Sequence, residues 1–151
     1  MAEDFRSLLQ EFIRRFGMLV ADRTPCGKPL ASSDAHALML LLEAGEDGML
    51  SSALAVKLGL DKSTTSRTAA RLTESGHLTA SSSNEDGRAR PLRLTKKGAR
   101  LAHEVEDASR DRFARLLKHV PPPRRTNLVE ALRDLVSAMQ KMTTHPGDQD
   151  L

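Results

Sequence analysis

The sequence has no tryptophan and no tyrosine, and its rings are limited to Phe5, Phe12, Phe16 and Phe113. Any core built from it must therefore be aliphatic. A single cysteine, Cys26, excludes an intramolecular disulfide and any zinc site made of cysteines alone. Long hydrophobic runs are also missing. The longest, Ala37 to Leu42, has six residues, against about 20 for a membrane-spanning helix. The N-terminus carries the acids Glu3 and Asp4 rather than a basic-then-apolar leader, so no signal peptide is expected. No Gly-rich phosphate loop, nucleophile elbow or extended metalloprotease motif is present, so no enzyme is expected. These absences lead to the expectation of a reduced, cytoplasmic protein with no membrane partner. At 151 residues the chain has the length of one domain.

What is there is charge, unevenly placed. The net charge is +3, yet the stretch from Asp61 to Arg100 holds nine basic residues against four acids, a net of +5 that leaves −2 for the rest. Clustering of this kind is the footprint of a polyanion-binding surface, although a solvated basic face has the same composition. A nonspecific, chromatin-like protein would instead be basic all round.

Periodicity supplies the framework. Phe5, Leu8, Leu9, Phe12, Ile13, Phe16, Leu19 and Val20 recur at spacings of three and four, which predicts one amphipathic helix ending near Asp22, before Pro25, Gly27 and Pro29. Ser32 or Ser33 can cap a second helix, which runs through Ala37–Leu42 to Gly45; Glu46, Asp47 and Gly48 then read as a turn. A short third helix after Ser51 is expected to bury Leu54, Val56 and Leu58 and to close at Gly59. Asp61 caps a fourth, with Thr65, Ala69 and Leu72 facing inward and Gly76 ending it. Two helices joined by three or four residues including a Gly form a helix-turn-helix, a spacing shared with ordinary helical hairpins.

The next segment decides between them. Leu78 opens a Ser/Thr-rich stretch, the turn formers Asn84, Asp86 and Gly87 follow, and Leu92 and Leu94 then alternate with Arg93. That pattern predicts a β-hairpin with a charged tip, its second strand weakened as a ladder donor by Pro91. A helix-turn-helix followed by such a hairpin is a winged helix. Thr95 caps a fifth helix through Leu101, Val105, Leu116 and Leu117, broken by Pro121, Pro122 and Pro123. Leu128, Leu132, Leu135, Val136 and Met139 mark a last helix, with a disordered tail expected over 144–151. The expected fold is mainly α with a small β-hairpin wing.

Leu58, Gly59, Leu60, Lys62, Ser63, Thr64, Ser66, Arg67, Arg71 and Leu72, then Gly76 and Leu78, and finally Asp86, Arg88, Leu92, Leu94, Thr95 and Gly98 together resemble the MarR family of winged helix-turn-helix transcription regulators. The Asp-x-Arg motif followed by Leu-Thr-x-x-Gly is the more specific part. Two departures stand out: Thr65, where the family usually has Val or Ile, and Pro91 inside the wing strand. The resemblance implies one domain over 1–151. Within it, 32–99 would be the winged-helix DNA-binding lobe, and 1–31 and 100–143 would be dimerisation helices shared with a second copy. It also implies a repressor that reads a pseudo-palindrome in double-stranded DNA and is relieved by a small ligand, oxidant or metal. Independently, the apolar first and last helices offer more hydrophobic surface than a short chain has places to bury.

With Thr65, Ala69 and Leu72 turned inward, Lys62, Ser63, Thr64, Arg67 and Arg71 are expected to face DNA, joined at the wing by Arg88 and Arg90. Arg67 suits a bidentate guanine contact, Ser63 and Thr64 suit phosphate or thymine-methyl contacts, and Lys62 and Arg71 suit the backbone. Arg88 suits the minor groove, with Asp86 orienting an arginine. A winged helix used only as a protein–protein module would not need this basic face. Three sensors remain open. Cys26 could serve as an oxidation-sensing thiol with its pKa lowered by Lys28. Asp22, Cys26, His36, His103 and Asp107 are zinc-compatible ligand types, placed as in the zinc-sensing branch of the family but with Asp107 where that branch tends to have a second His. An apolar cleft could take an aromatic acid, its carboxylate held by Arg14 or Arg15.

Overall fold

A computed structural model describes residues 1–80 and 90–143, so the expected charged wing tip, with Asp86 and Arg88, and the expected tail over 144–151 lie outside the described residues. The chain divides into two compact units, Met1–Asp111 and Arg112–Leu151. Among the described residues, six helices and a small sheet follow in the order α1 (Ala2–Phe16), α2 (Ser32–Ala44), α3 (Ser51–Leu58), α4 (Lys62–Glu74), β1 (Leu78–Ala80), β2 (Leu92–Leu94), α5 (Lys96–Lys118) and α6 (Pro122–Thr143). A 3-10 turn, Gly45–Asp47, stands where the Glu46-Asp47-Gly48 turn is expected.

In the first unit the core is aliphatic, as the missing rings require. Leu38, Leu41, Leu54, Ala69, Leu72, Leu78, Leu92 and Ala102 form one buried cluster contributed by α2, α3, α4, the sheet and α5. The sheet is antiparallel, with Leu78 opposite Leu94 and Ala80 opposite Leu92. Met49 and Leu92 also exchange both backbone hydrogen bonds, at 3.0 and 2.8 Å, which adds a bridge on the far edge of β2 that the sequence pattern did not announce. Pro91 stands just before β2 and so costs its ladder no donor.

Several expectations need correction. The first helix ends at Phe16 rather than near Asp22, because Gly17 adopts the left-handed conformation at φ 84° and its N–H turns back to the carbonyl of Arg14. Ser32 is the first helical residue of α2 rather than its cap; Ala31 holds the cap position, with no side-chain cap bond. Val56 is 82% exposed, since two residues from Leu54 is about 200° around a helix, and Ala55 is buried in its place. The prolines interrupt the chain less than expected. Only Pro121 lies in the break, while Pro122 and Pro123 open α6, where a missing N–H costs nothing.

A close approach fixes the start of α5. A Cβ on Gly98 would lie 1.9 Å from the carbonyl oxygen of His77, so only a glycine admits this contact. Thr95 completes the junction as predicted. Its Oγ1 accepts the Gly98 N–H at 3.0 Å and donates to the Gly76 carbonyl at 2.7 Å.

Candidate nucleic-acid interface

The α3–α4 pair forms the helix-turn-helix, with Gly59 left-handed at φ 64° between the two helices. Asp61 organises the start of α4. Its Oδ1 accepts the Thr64 N–H and the Ser63 hydroxyl, each at 2.8 Å, and its Oδ2 accepts the Thr64 hydroxyl at 2.7 Å. These bonds, the Thr64 hydroxyl's foremost, hold the Asp61 carboxyl well below the usual carboxylate range. The hydroxyl protons of Ser63 and Thr64 are therefore directed at Asp61. Arg67 Nη2 donates to Thr64 Oγ1 at 3.0 Å, so its guanidinium is tethered in an exposed position along the same face.

Thr65 departs from the family pattern without leaving an orphan. It is fully buried, and its hydroxyl donates to the Asp61 carbonyl at 3.0 Å. Thr65, Thr68, Ala69 and Leu72 form the inner face of α4, and Lys62, Ser63 and Arg67 are exposed with Arg90 of the wing.

Arg71 is engaged differently from its neighbours. Its Nε donates to Asp34 Oδ2 at 2.9 Å and its Nη2 pairs with Asp34 Oδ1, a forked pairing between α4 and the first turn of α2. The hydrogen bonding to the Asp34 carboxylate outweighs burial and raises the arginine's pKa. Asp34 itself is only 6% exposed. Nothing in the local sequence around Asp34 signals this role, because its partner lies 37 positions away. The far end of α4 is also held. Lys97 Nζ donates to the Ser75 carbonyl at 2.7 Å, and the Ser75 hydroxyl lies 2.7 Å from Nδ1 of His77. Burial, and then the charge of Lys97, lower the His77 pKa.

The candidate sensor residues do not converge. Cys26 is half-buried with its Sγ 3.0 Å from the Thr24 hydroxyl. Lys28, expected to stabilise a thiolate, sends its ammonium to Glu104 at 3.2 Å. Asp22, His36, His103 and Asp107 are exposed, and Asp107 pairs with Arg110 at 3.4 Å. Among the described residues no three His, Cys, Asp or Glu side chains gather closely enough to hold a metal ion, so the geometry gives the zinc reading no support. Arg15, a candidate carboxylate holder, pairs with Glu11 at 2.6 Å. Among the described residues no helix is long and apolar enough to cross a membrane.

Helix-turn-helix, antiparallel strands and a following long helix define a winged helix. Residues 29–89 match the model of the MarR family, a span that takes in α2, the helix-turn-helix and β1. The fold is similar to that of a MarR/EmrR family transcriptional regulator from Acinetobacter sp. ADP1, at 18% identity and TM-score 0.67, over 93% of this chain and 94% of that one. It is similar to a MarR family protein from Bacillus stearothermophilus, at 25% identity and TM-score 0.64, over 92% of each chain. A third similar structure is MepR of S. aureus in complex with DNA, at 17% identity and TM-score 0.70, over 91% of this chain and 96% of that one. No curated protein matches the sequence. The likeness to the MarR family thus rests on residues 29–89 in sequence and on more than nine-tenths of the chain in fold.

Proposed function

We propose that the protein is a sequence-specific, double-stranded-DNA-binding transcription regulator that acts as a homodimeric repressor rather than an enzyme. The observation that carries this reading is the outer face of α4, where Asp61 caps the helix and Lys62 and Arg67 stand exposed. A basic helix N-terminus on a helix-turn-helix is suited to base edges and phosphates in the major groove. The MepR–DNA complex, a structure of similar fold, supports the reading. Lys62, Ser63, Thr64, Arg67, Arg88 and Arg90 form the proposed contact set. Two copies would read half-sites about 10 base pairs apart.

Fluorescence anisotropy with a duplex from immediately upstream of the protein's own gene, beside a scrambled duplex of the same composition, tests this. The upstream duplex should bind far more tightly. Arg67→Ala should relax specificity at one base position, costing about 1–3 kcal/mol of discrimination. Arg88→Ala should weaken both duplexes and lower the salt slope by about one unit. Equal affinity of the wild type for both duplexes would overturn the assignment.

A further inference from the structure

The sequence pattern places Arg71 among the phosphate-tracking residues, and the structure gives it another employment. At about 100° per residue, Ser63, Arg67 and Ala70 line the outward stripe of α4, and Arg71 lies about 70° to one side of it, toward α2. There it meets Asp34 in the first turn of α2, where the helix N-terminus favours a carboxylate. The Asp34 side chain is 9% exposed and that of Arg71 is 52% exposed. Thr68 Oγ1, on the buried side of α4, lies 3.5 Å from Arg71 Nη2 and closes the third side of the contact. Withdrawing the guanidinium toward a phosphate would leave the Asp34 carboxylate buried and without its cation, and uncompensated buried charges are strongly unfavourable.

We infer that Asp34 and Arg71 are positioning residues for DNA recognition, a half-buried fork that fixes the rotation of α4 about its axis and so aims Ser63 and Arg67 at the groove, with Arg71 making no phosphate contact. The inference rests on the regulator reading above. A Lys at 71 would keep the charge but lose the fork, because an ammonium cannot present two parallel donors. Sequence-specific binding depends on the aim of a few side chains, whereas nonspecific binding depends on charge. The fork should accordingly govern the ratio of specific to nonspecific affinity.

The test uses the full-length protein, the upstream and scrambled duplexes, and a salt titration, with thermal melting to follow folding. Asp34→Asn makes the protein more positive, so on charge alone it would tighten every DNA complex. The fork instead requires the upstream duplex to bind about tenfold or more weakly, with the scrambled duplex unweakened. Arg71→Lys should do the same at unchanged charge, and it keeps the test decisive should Asp34→Asn fold poorly. Arg71→Met should leave the salt slope on the upstream duplex unchanged. The inference is overturned if Arg71→Lys binds the upstream duplex like wild type, or if Arg71→Met lowers the slope by about one unit on both duplexes, as loss of a phosphate contact would. A wild type that prefers neither duplex overturns the regulator reading itself, a result distinct from both.

Discussion

The winged-helix lobe and the first helix of the same chain follow opposite rules. In the lobe, Leu38, Leu41 and Leu54 are essentially inaccessible, and Asp61, Arg71 and Lys97 at the helix ends each hold a named partner. In α1 no residue is buried; Phe5, Leu8, Leu9 and Phe12 are exposed, and Phe12 stacks on Phe16 at 5.1 Å. The lobe is thus complete as a single chain, while α1 holds an apolar stripe with no use in it. In the second unit, α6 likewise exposes Val129, Leu132, Val136 and Met142. Contiguous exposed apolar surface on that scale marks an interaction site.

The sharpest way to break the lobe alone is at Gly98. Gly98→Ala would drive a Cβ onto the His77 carbonyl, and forced backbone displacement at a packed junction costs about 1–3 kcal/mol. Thermal melting should show that loss, and with the α4–β1–α5 junction sprung, DNA binding should fall with it. A Gly98→Ala variant as stable as wild type would mean that α5 has room to shift.

The converse experiment breaks the helices and spares the lobe. Leu8 is 67% and Leu132 is 52% exposed, so a glutamate at either costs one chain's folding little. On the homodimer reading, Leu8→Glu with Leu132→Glu should reduce the sedimenting mass from about twice 16.5 kDa to 16.5 kDa, with helical content largely kept. A wild type that already sediments as one chain would end the dimer proposal and leave these faces to another partner.

How much of this was legible follows the same division. Local rules carry local features. The spacing of Thr65, Ala69 and Leu72, the cap by Asp61 and the cap by Thr95 all stand where the sequence puts them, because each depends on residues within a turn or two. Pairings distant along the chain left no such trace. The Asp34–Arg71 fork and the Met49–Leu92 bridge join segments about 40 residues apart, and neither partner has a spacing that betrays the other. Val56 and the end of α1 depart from the sequence pattern for another reason. Helical phase turns Val56 away from Leu54, and a left-handed glycine ends α1 before Leu19 and Val20. Of the candidate site, the exposed Lys62 and Arg67 were foreseeable from helical phase. The tying of the Ser63 and Thr64 hydroxyls to Asp61 was not, since a cap residue's spare lone pairs can be filled from several sides.

The smallest expected effect separates the lobe's local order from its core. Asp61 carries its bonds on the open surface, and its folded-state pKa lies below the ordinary value of 3.8 chiefly because the Thr64 hydroxyl and N–H favour the charged form. A carboxyl depressed on folding contributes stability that is complete above its unfolded pKa and drains away as pH falls toward the folded one. Melting temperature followed downward from about pH 4 should therefore decline in part through Asp61. Asp61→Ala should start slightly lower at neutral pH, having lost the cap. It should then fall less steeply in acid, so that the two curves converge. Parallel curves would show that the cap's hydrogen bonds are replaced by water at no cost, and that the start of α4 is held by its packing against α2 and α3 instead.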